Sequence, residues 1–446
     1  MCTIPEITAS SVALFLGYVI LLLIVLSIVF YLLIVLLRVY VHHATRKAMP
    51  HLRQFEPGQI QVKPVVVGFF HPYCNAGGGG ERVLWVGIRA IQQRYNFVKC
   101  VVYTGDQDVT GAKILEKART RFNISLPKPV EFVCLKKRRW VEAAMYPYFT
   151  LLGQSFGSVI LGWEALTSYI PDIYIDTMGY AFTLPLFKYV GGCQAYGIAG
   201  RCADEVMVNS TWTYNHIVSL WRKELKTSIV YPPCDTKSFQ EIPINLNKGD
   251  PQHIFISIAQ FRPEKDHPLQ IKAFAEFLKL KPKKEQSKYK LILIGSCRNE
   301  EDAKRVDSLR ELAIDMNVRA NVELALNVSF EELLNYIANA TIGLHTMWNE
   351  HFGIGVVECM AGGCIILAHD SGGPKMDIVI EWNGKLTGFL ASDVKSYADA
   401  METIIALSPE ERTAICHNAR QSVGRFSESS FEIGFLRHTE SLFMSA

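Results

Sequence analysis

From Ile7 to Leu37 the chain carries no charged residue, and Val12 to Leu37 is apolar almost without interruption. A helix needs roughly 20 apolar residues to cross a bilayer, and this run exceeds that. It is also longer than the about 7–15 apolar residues of a cleaved signal peptide and lacks a small-residue cleavage site, so residues 12–37 read as an uncleaved transmembrane signal anchor. Beyond a polar juxtamembrane stretch, 38–61, the pattern changes to short Val- and Ile-rich runs alternating with helical periodicity, the signature of βαβ units. The first series of expected strands is Val62–Phe70, Val98–Tyr103, Val130–Cys134, Ile173–Thr177, Glu205–Asn209 and Ile229–Tyr231. The second is Ile254–Ala259, Tyr289–Gly295, Asn321–Leu326, Thr341–Thr346, Cys364–Ala368 and Gly388–Leu390. This predicts an α/β chain of two doubly wound lobes, 62–235 and 253–446, the second including the C-terminal helices. The linker, 236–252, falls in the proline-rich stretch Tyr231 to Gln252. Ligands of such sheets collect beyond the carboxyl ends of the strands, so a cleft is expected between the lobes.

Charge orients the anchor. Arg38, Arg46, Lys47 and Arg53 follow it and only Glu6 precedes it. The positive-inside bias then leaves residues 1–11 lumenal and the bulk of the chain cytosolic. In that orientation the N-x-S/T sequences at Asn123, Asn209, Asn327 and Asn339 stay unglycosylated. The 11 cysteines include no C-x-x-C pair and no zinc spacing, as suits a reducing compartment. A formal charge of +3 with 20% charged and 49% hydrophobic residues excludes a strongly basic nucleic-acid binder and a disordered chain.

Lys136, Lys137, Arg138 and Arg139 run into Trp140, and up to Ile170 only Glu142 and Glu164 carry charge. A pair of buried helices is one reading of this segment; an interfacial helix with basic residues on anionic headgroups is the other. Asp106-Gln-Asp108 spells D-x-D, but two carboxylates in a polar turn are too few oxygen ligands for a divalent ion, and no metal is expected.

Two segments carry chemistry. Glu350-His-Phe-Gly353-Ile354-Gly355-Val-Val-Glu358 follows an apolar strand, so Glu350 lies on a strand-to-helix loop and Glu358 about two turns into the helix. The N-terminus of such a helix offers free N–H groups and a positive dipole end to a diphosphate. The later glycines, through Gly372 and Gly373, suggest close approach of a ligand to backbone. In the first lobe, Gly77-Gly78-Gly79-Gly80-Glu81-Arg82 joins a strand to a helix, a means of setting backbone N–H groups against an anion or sugar. Arg262 and Lys265, between a strand and a helix, are candidate cations for charge developing on a departing diphosphate.

The E-x7-E arrangement, the glycine-rich element and the Arg/Lys loop together resemble the retaining GT-B glycosyltransferases of the glycogen-synthase-like and mannosyltransferase group. More narrowly, His345 to Met360, Gln260-Phe-Arg-Pro-Glu-Lys265 and Val230-Tyr-Pro-Pro-Cys234 are similar to the α-1,2-mannosyltransferases of the asparagine-linked glycosylation pathway, from the anchor to the C-terminus with one break. The resemblance implies two Rossmann-like lobes and metal- and cofactor-independent transfer with retention. The donor would be GDP-mannose and the acceptor a dolichol-pyrophosphate-linked oligosaccharide at the endoplasmic reticulum membrane, with other mannosyltransferases of the pathway as partners. By the same resemblance Glu350 would face the mannose and Glu358 hold the donor ribose, with Gly353, Ile354 and Gly355 at the donor and Arg262 and Lys265 on the diphosphate. Relatives place the Arg where this chain has Gln260. The residues alone do not separate guanine from uracil, nor a transferase from a silent binding protein.

The break follows Gln194. There the relatives continue with a strand bearing His-Tyr-Pro and several dozen further residues, whereas Ala195-Tyr-Gly-Ile-Ala-Gly200 follows here. The expectation is a first lobe short of one strand and of an acceptor-side histidine, with ladder groups left unpaired, a first lobe poorly folded and transfer impaired.

Overall fold

The computed structural model describes residues 9–45, 49–53, 64–180, 182–191, 194–197, 203–221, 226–244, 252–297 and 300–445. Glu6, Arg46 and Lys47, and 245–251 of the expected linker, lie outside them. The strands are β1 (Val65–Phe70), β2 (Val98–Thr104), β3 (Val130–Cys134), β4 (Ile173–Asp176), β5 (Gln194–Gly197), β6 (Val206–Val208), β7 (Thr227–Ile229), β8 (His253–Ile258), β9 (Tyr289–Gly295), β10 (Val322–Leu326), β11 (Ile342–Leu344), β12 (Ile365–His369) and β13 (Gly388–Ala391).

The first lobe holds a parallel sheet in the order β3-β2-β1-β4-β5, and the second a parallel sheet in the order β10-β9-β8-β11-β12-β13. Helices cover both faces of each, which is why the strands read as continuous apolar runs. Along β9, Leu291 and Leu293 enter one core while Ile292 and Ile294 enter the other. In β1, Val67 and Phe69 face one side and Val66 and Phe70 the opposite side. In each lobe the order reverses beside the first strand, at β1/β4 and at β8/β11, and the loops leaving those strand ends form the walls of the cleft.

Four expectations change. The anchor helix does not end at Leu37: it runs Ala9–Thr45, and Leu37 and Val41 pack into the first lobe with Leu161, Ala165 and Phe187. The expected juxtamembrane linker therefore begins as helix, because apolar positions one turn apart continue the face that docks.

The chain after Gln194 supplies a strand. Residues Gln194–Gly197 pair with β4 from Ile173 to Asp176, so those ladder groups are not left open. Among the described residues β6 and β7 form a two-stranded sheet of their own.

The C-terminal helix, Glu428–Ser445, lies on the first lobe rather than the second. Phe431, Phe435 and Leu442 join that lobe's core, and the Phe435 ring packs over Gly87. Arg89 fixes the crossing, with Nη2 2.7 Å from Glu428 and 2.8 Å from Glu432.

Residues 136–170 are not two buried helices. Short 3-10 turns, Arg138–Val141 and Ala143–Met145, precede one helix, Thr150–Ser168, buried only along its later half.

Candidate active site

At the β8/β11 reversal, the loop after β8 carries Lys265 and the loop after β11 carries Glu350. Lys265 Nζ contacts the Glu350 carboxylate and lies 3.1 Å from Met347 Sδ. His345 Nε2 is 3.4 Å from the same carboxylate oxygen. Burial pushes the Glu350 pKa up, but the hydrogen bond from His345 and the Lys265 charge outweigh it and hold the group at about 2. Glu350 is an anion at any physiological pH.

The loops are fixed by groups that carried no weight in the sequence. The buried Thr346 hydroxyl donates to the Lys265 carbonyl at 2.8 Å and receives the Gln270 amide at 2.8 Å. Behind Glu350, Gly373 N–H donates to the Glu350 carbonyl at 2.8 Å. Gly372 has φ +61, and a Cβ there would fall 2.3 Å from that carbonyl oxygen. Gly372 and Gly373 thus admit the protein's own loop, a reason for glycine here that the sequence did not show.

Gly353, with φ +109, caps helix Ile354–Gly362. The first N–H groups of that helix, on Ile354 and Gly355, have no carbonyl one turn back to receive them. A Cβ on Gly355 would lie 2.9 Å from the Ile258 carbonyl oxygen, so this glycine lets the helix start seat on the end of β8. Glu358, further along, is half-buried and accepts no hydrogen bond among the described residues. Burial pushes its pKa up to about 7, restrained by Arg82, raised by Asp235 and restrained again by Arg121.

Both of those arginines come from the first lobe. The glycine-rich loop meets the second lobe directly: a Cβ on Gly79 would sit 2.7 Å from Ile354 Cδ1, and one on Gly78 3.5 Å from Gln260 Nε2. Gly77 has φ +77 and lies against Arg121. Glu81, the last residue of the glycine-rich element, turns inward. It accepts the Gly78 N–H and lies 3.3 Å from His71 Nε2, whose Nδ1 is 2.7 Å from Thr177 Oγ1. Burial pushes the Glu81 pKa up, but His71 and the Gly78 N–H bring it below the usual carboxylate value. It closes the loop on its own helix.

Arg262 is also placed apart from Glu350. Its side chain is 42% exposed, with Nη1 3.6 Å from Glu264. Asp106 accepts from Asn75 N–H at 2.9 Å and pairs with Arg138 Nη1 at 2.5 Å, so it serves the first lobe's loops.

Two contacts across the cleft had no sequence signal. Trp212 of the first lobe stacks on His351 at 5.0 Å between ring centroids, beside Glu350. Asp377 of the second lobe accepts from Thr211 N–H at 3.0 Å, from the Thr211 hydroxyl at 2.5 Å and from Tyr231 Oη at 2.9 Å.

Residues 64–195 match the ALG11 mannosyltransferase N-terminus model, and residues 238–422 match glycosyl transferases group 1. A GDP-Man:Man(3)GlcNAc(2)-PP-Dol alpha-1,2-mannosyltransferase of Xenopus laevis is 52% identical over 449 residues, covering 90% of this chain and 92% of the relative. The Homo sapiens protein of the same name is 52% identical over 429 residues, 85% of this chain and 87% of its own. The Xenopus alignment is longer than this 446-residue chain although it covers only 90% of it, so that relative carries residues this chain lacks. The first family match ends at residue 195, at the break. Among solved structures, a sucrose-phosphate synthase from Thermosynechococcus elongatus superposes with TM-score 0.65 at 17% identity, covering 86% of this chain and all of that one. A glycosyltransferase from Rickettsia africae gives the same score at 14% identity, again over 86% of this chain. These structures speak for the GT-B fold alone. With both lobes matched and about half the residues identical across most of each sequence, the chain belongs to the GT-B α-1,2-mannosyltransferases of lipid-linked oligosaccharide assembly.

Proposed function

We propose that the chain transfers mannose from GDP-mannose, in α-1,2 linkage and with retention, to dolichol-pyrophosphate-linked Man3GlcNAc2 and then Man4GlcNAc2, adding the fourth and fifth mannoses. The observation that carries the mechanism is the set of groups meeting at the cleft: Lys265 on Glu350 beside the free N–H groups of Ile354 and Gly355. The donor diphosphate lies at that helix start. Negative charge grows on it as the glycosidic bond breaks, and Lys265, with Arg262 swinging in from the cleft edge, stabilises it. Glu350, held ionised, faces the positive charge developing at the anomeric carbon. Glu358 accepts the ribose hydroxyls, which its ionised form does best. The cations make a metal unnecessary, so turnover withstands chelation.

The lobe 62–235, with the glycine-rich loop and its C-terminal helix, takes the acceptor, and the lobe from 253 takes the donor. The anchor crosses the endoplasmic reticulum membrane once, with both lobes in the cytosol. The decisive experiment incubates detergent-solubilised protein with GDP-mannose and a short-lipid diphosphate carrying Man3GlcNAc2, and detects added hexoses by mass. Two additions removable by an α-1,2-mannosidase are expected. Absence of any addition, or addition only from UDP-N-acetylglucosamine, would falsify the assignment.

A further inference from the structure

The start of helix Thr150–Ser168 exposes apolar side chains that no part of the described chain covers. Tyr148 is 83%, Phe149 84% and Leu151 82% exposed, and Leu152 and Phe156 are exposed beside them. From Ala143 to Trp163 the sequence has no charged residue. Soluble surfaces rarely carry so many large apolar groups together, and such patches mark interaction faces.

The surroundings say what covers it. Phe156 stacks on Phe182 at 6.2 Å, and Phe182 leads into Leu186–Gly191, the turn against which the anchor helix rests. The anchor also touches helix Thr150–Ser168 itself, so the patch is continuous with the site where the membrane span joins the lobe. At the patch's other edge stands the basic turn. Glu164 receives the backbone N–H groups of Lys136 and Lys137 at 2.9 and 2.8 Å, which fastens this turn to the helix. Asp106 and Glu142 are taken by Arg138. Among the described residues the exposed Lys136, Lys137 and Arg139 have no carboxylate partner, and Arg139 lies over the Trp140 ring. Apolar side chains flanked by unpaired cations and an aromatic, beside a span, match the chemistry of an anionic bilayer surface.

We propose that this face is a second membrane contact: Phe149, Leu151, Leu152 and Phe156 enter the acyl boundary while Lys136, Lys137 and Arg139 lie on anionic headgroups. The lobe is then held by two contacts and cannot swivel about the anchor, which fixes the cleft's height above the surface. This rests on the reading of the anchor as a membrane span, and the test separates the two.

The full chain, with a benzophenone amino acid replacing Leu151, Leu26 or Ile433, is reconstituted into phosphatidylcholine vesicles containing phosphatidylserine and irradiated. Leu26 reports the span, and Ile433 is an exposed apolar control on the C-terminal helix. Lipid adducts are expected at Leu151 and Leu26 and not at Ile433. Joint replacement of Lys136, Lys137 and Arg139 by Ala should lower the Leu151 adduct at least about tenfold in these vesicles and little in pure phosphatidylcholine. Adducts at Leu26 but not at Leu151 overturn the proposal and leave the span standing. Absence at both overturns the two together. In microsomes, a polypeptide adduct at Leu151 in place of lipid would identify a protein-docking face and also overturn it.

Discussion

The Thr346 side chain ties the loops after β8 and β11 together: its hydroxyl donates at 2.8 Å to the carbonyl of Lys265, the residue whose ammonium meets Glu350. A misplacement of about 1 Å in such a cation can lower turnover by about 10²-fold. Thr346→Val keeps the shape and removes the bond, so it should lower kcat by about tenfold or more with donor KM little changed, while Thr346→Ser retains most activity. Equal kcat for the Val variant would show that the tie does not position Lys265.

Lys265→Ala should lower kcat by about 10²-fold or more, because the departing diphosphate loses its nearest fixed cation. Arg262→Ala, at the exposed edge, should cost less. Glu350→Gln should depress turnover, whereas Glu358→Gln should mainly raise donor KM. Steady-state kinetics with GDP-mannose decide each ordering.

The two carboxylates also differ in pH response. Glu350, depressed to about 2, contributes stability that is present above its unfolded value and lost as pH falls through about 2. Lys265→Ala should shift that acid loss to higher pH in a chemical-denaturation series. Glu358, raised to about 7, binds its proton more tightly in the folded chain, so its contribution is full below its unfolded value and lost as pH rises through about 7. Donor KM should fall as pH rises through about 7, and Glu358→Gln should abolish that dependence.

Gly372→Ala adds a Cβ 2.3 Å from the Glu350 carbonyl oxygen at φ +61. The Glu350 loop must shift, and kcat should fall by about 10²-fold. Gly384→Ala, at φ +71 with nothing within 4 Å, is the control for backbone strain alone. If both variants lost activity alike, crowding of Glu350 would not be the cause.

Asp377→Ala removes the acceptor for Thr211 and Tyr231 between the lobes. Leaving such donors unpaired costs about 1–3 kcal/mol each, so Tm should drop and amide exchange at the start of helix Thr211–Trp221 should rise. Unchanged exchange there would mean that the stacked Trp212 and His351 hold the lobes without it.

The sequence by itself determined the long apolar N-terminal helix, the two series of parallel strands and the segments bearing Lys265, Glu350 and Glu358, because each rests on local pattern: apolar length, short Val- and Ile-rich runs against a helical period of 3.6, and glycine beside a helix start. Only the tertiary structure decided which of these groups meet. Lys265 and Glu350 come together because the strand order reverses between β8 and β11, a relation between strands distant in sequence. Glu81 turned to its own loop because His71, just after the strand that enters that loop, offered a buried partner. The glycines of 372 and 373 proved to face backbone, which no spacing reveals. The C-terminal helix crossed to the first lobe because that lobe's core takes Phe431, Phe435 and Leu442 and Arg89 there pairs with Glu428 and Glu432, a match of surfaces visible only once both are folded.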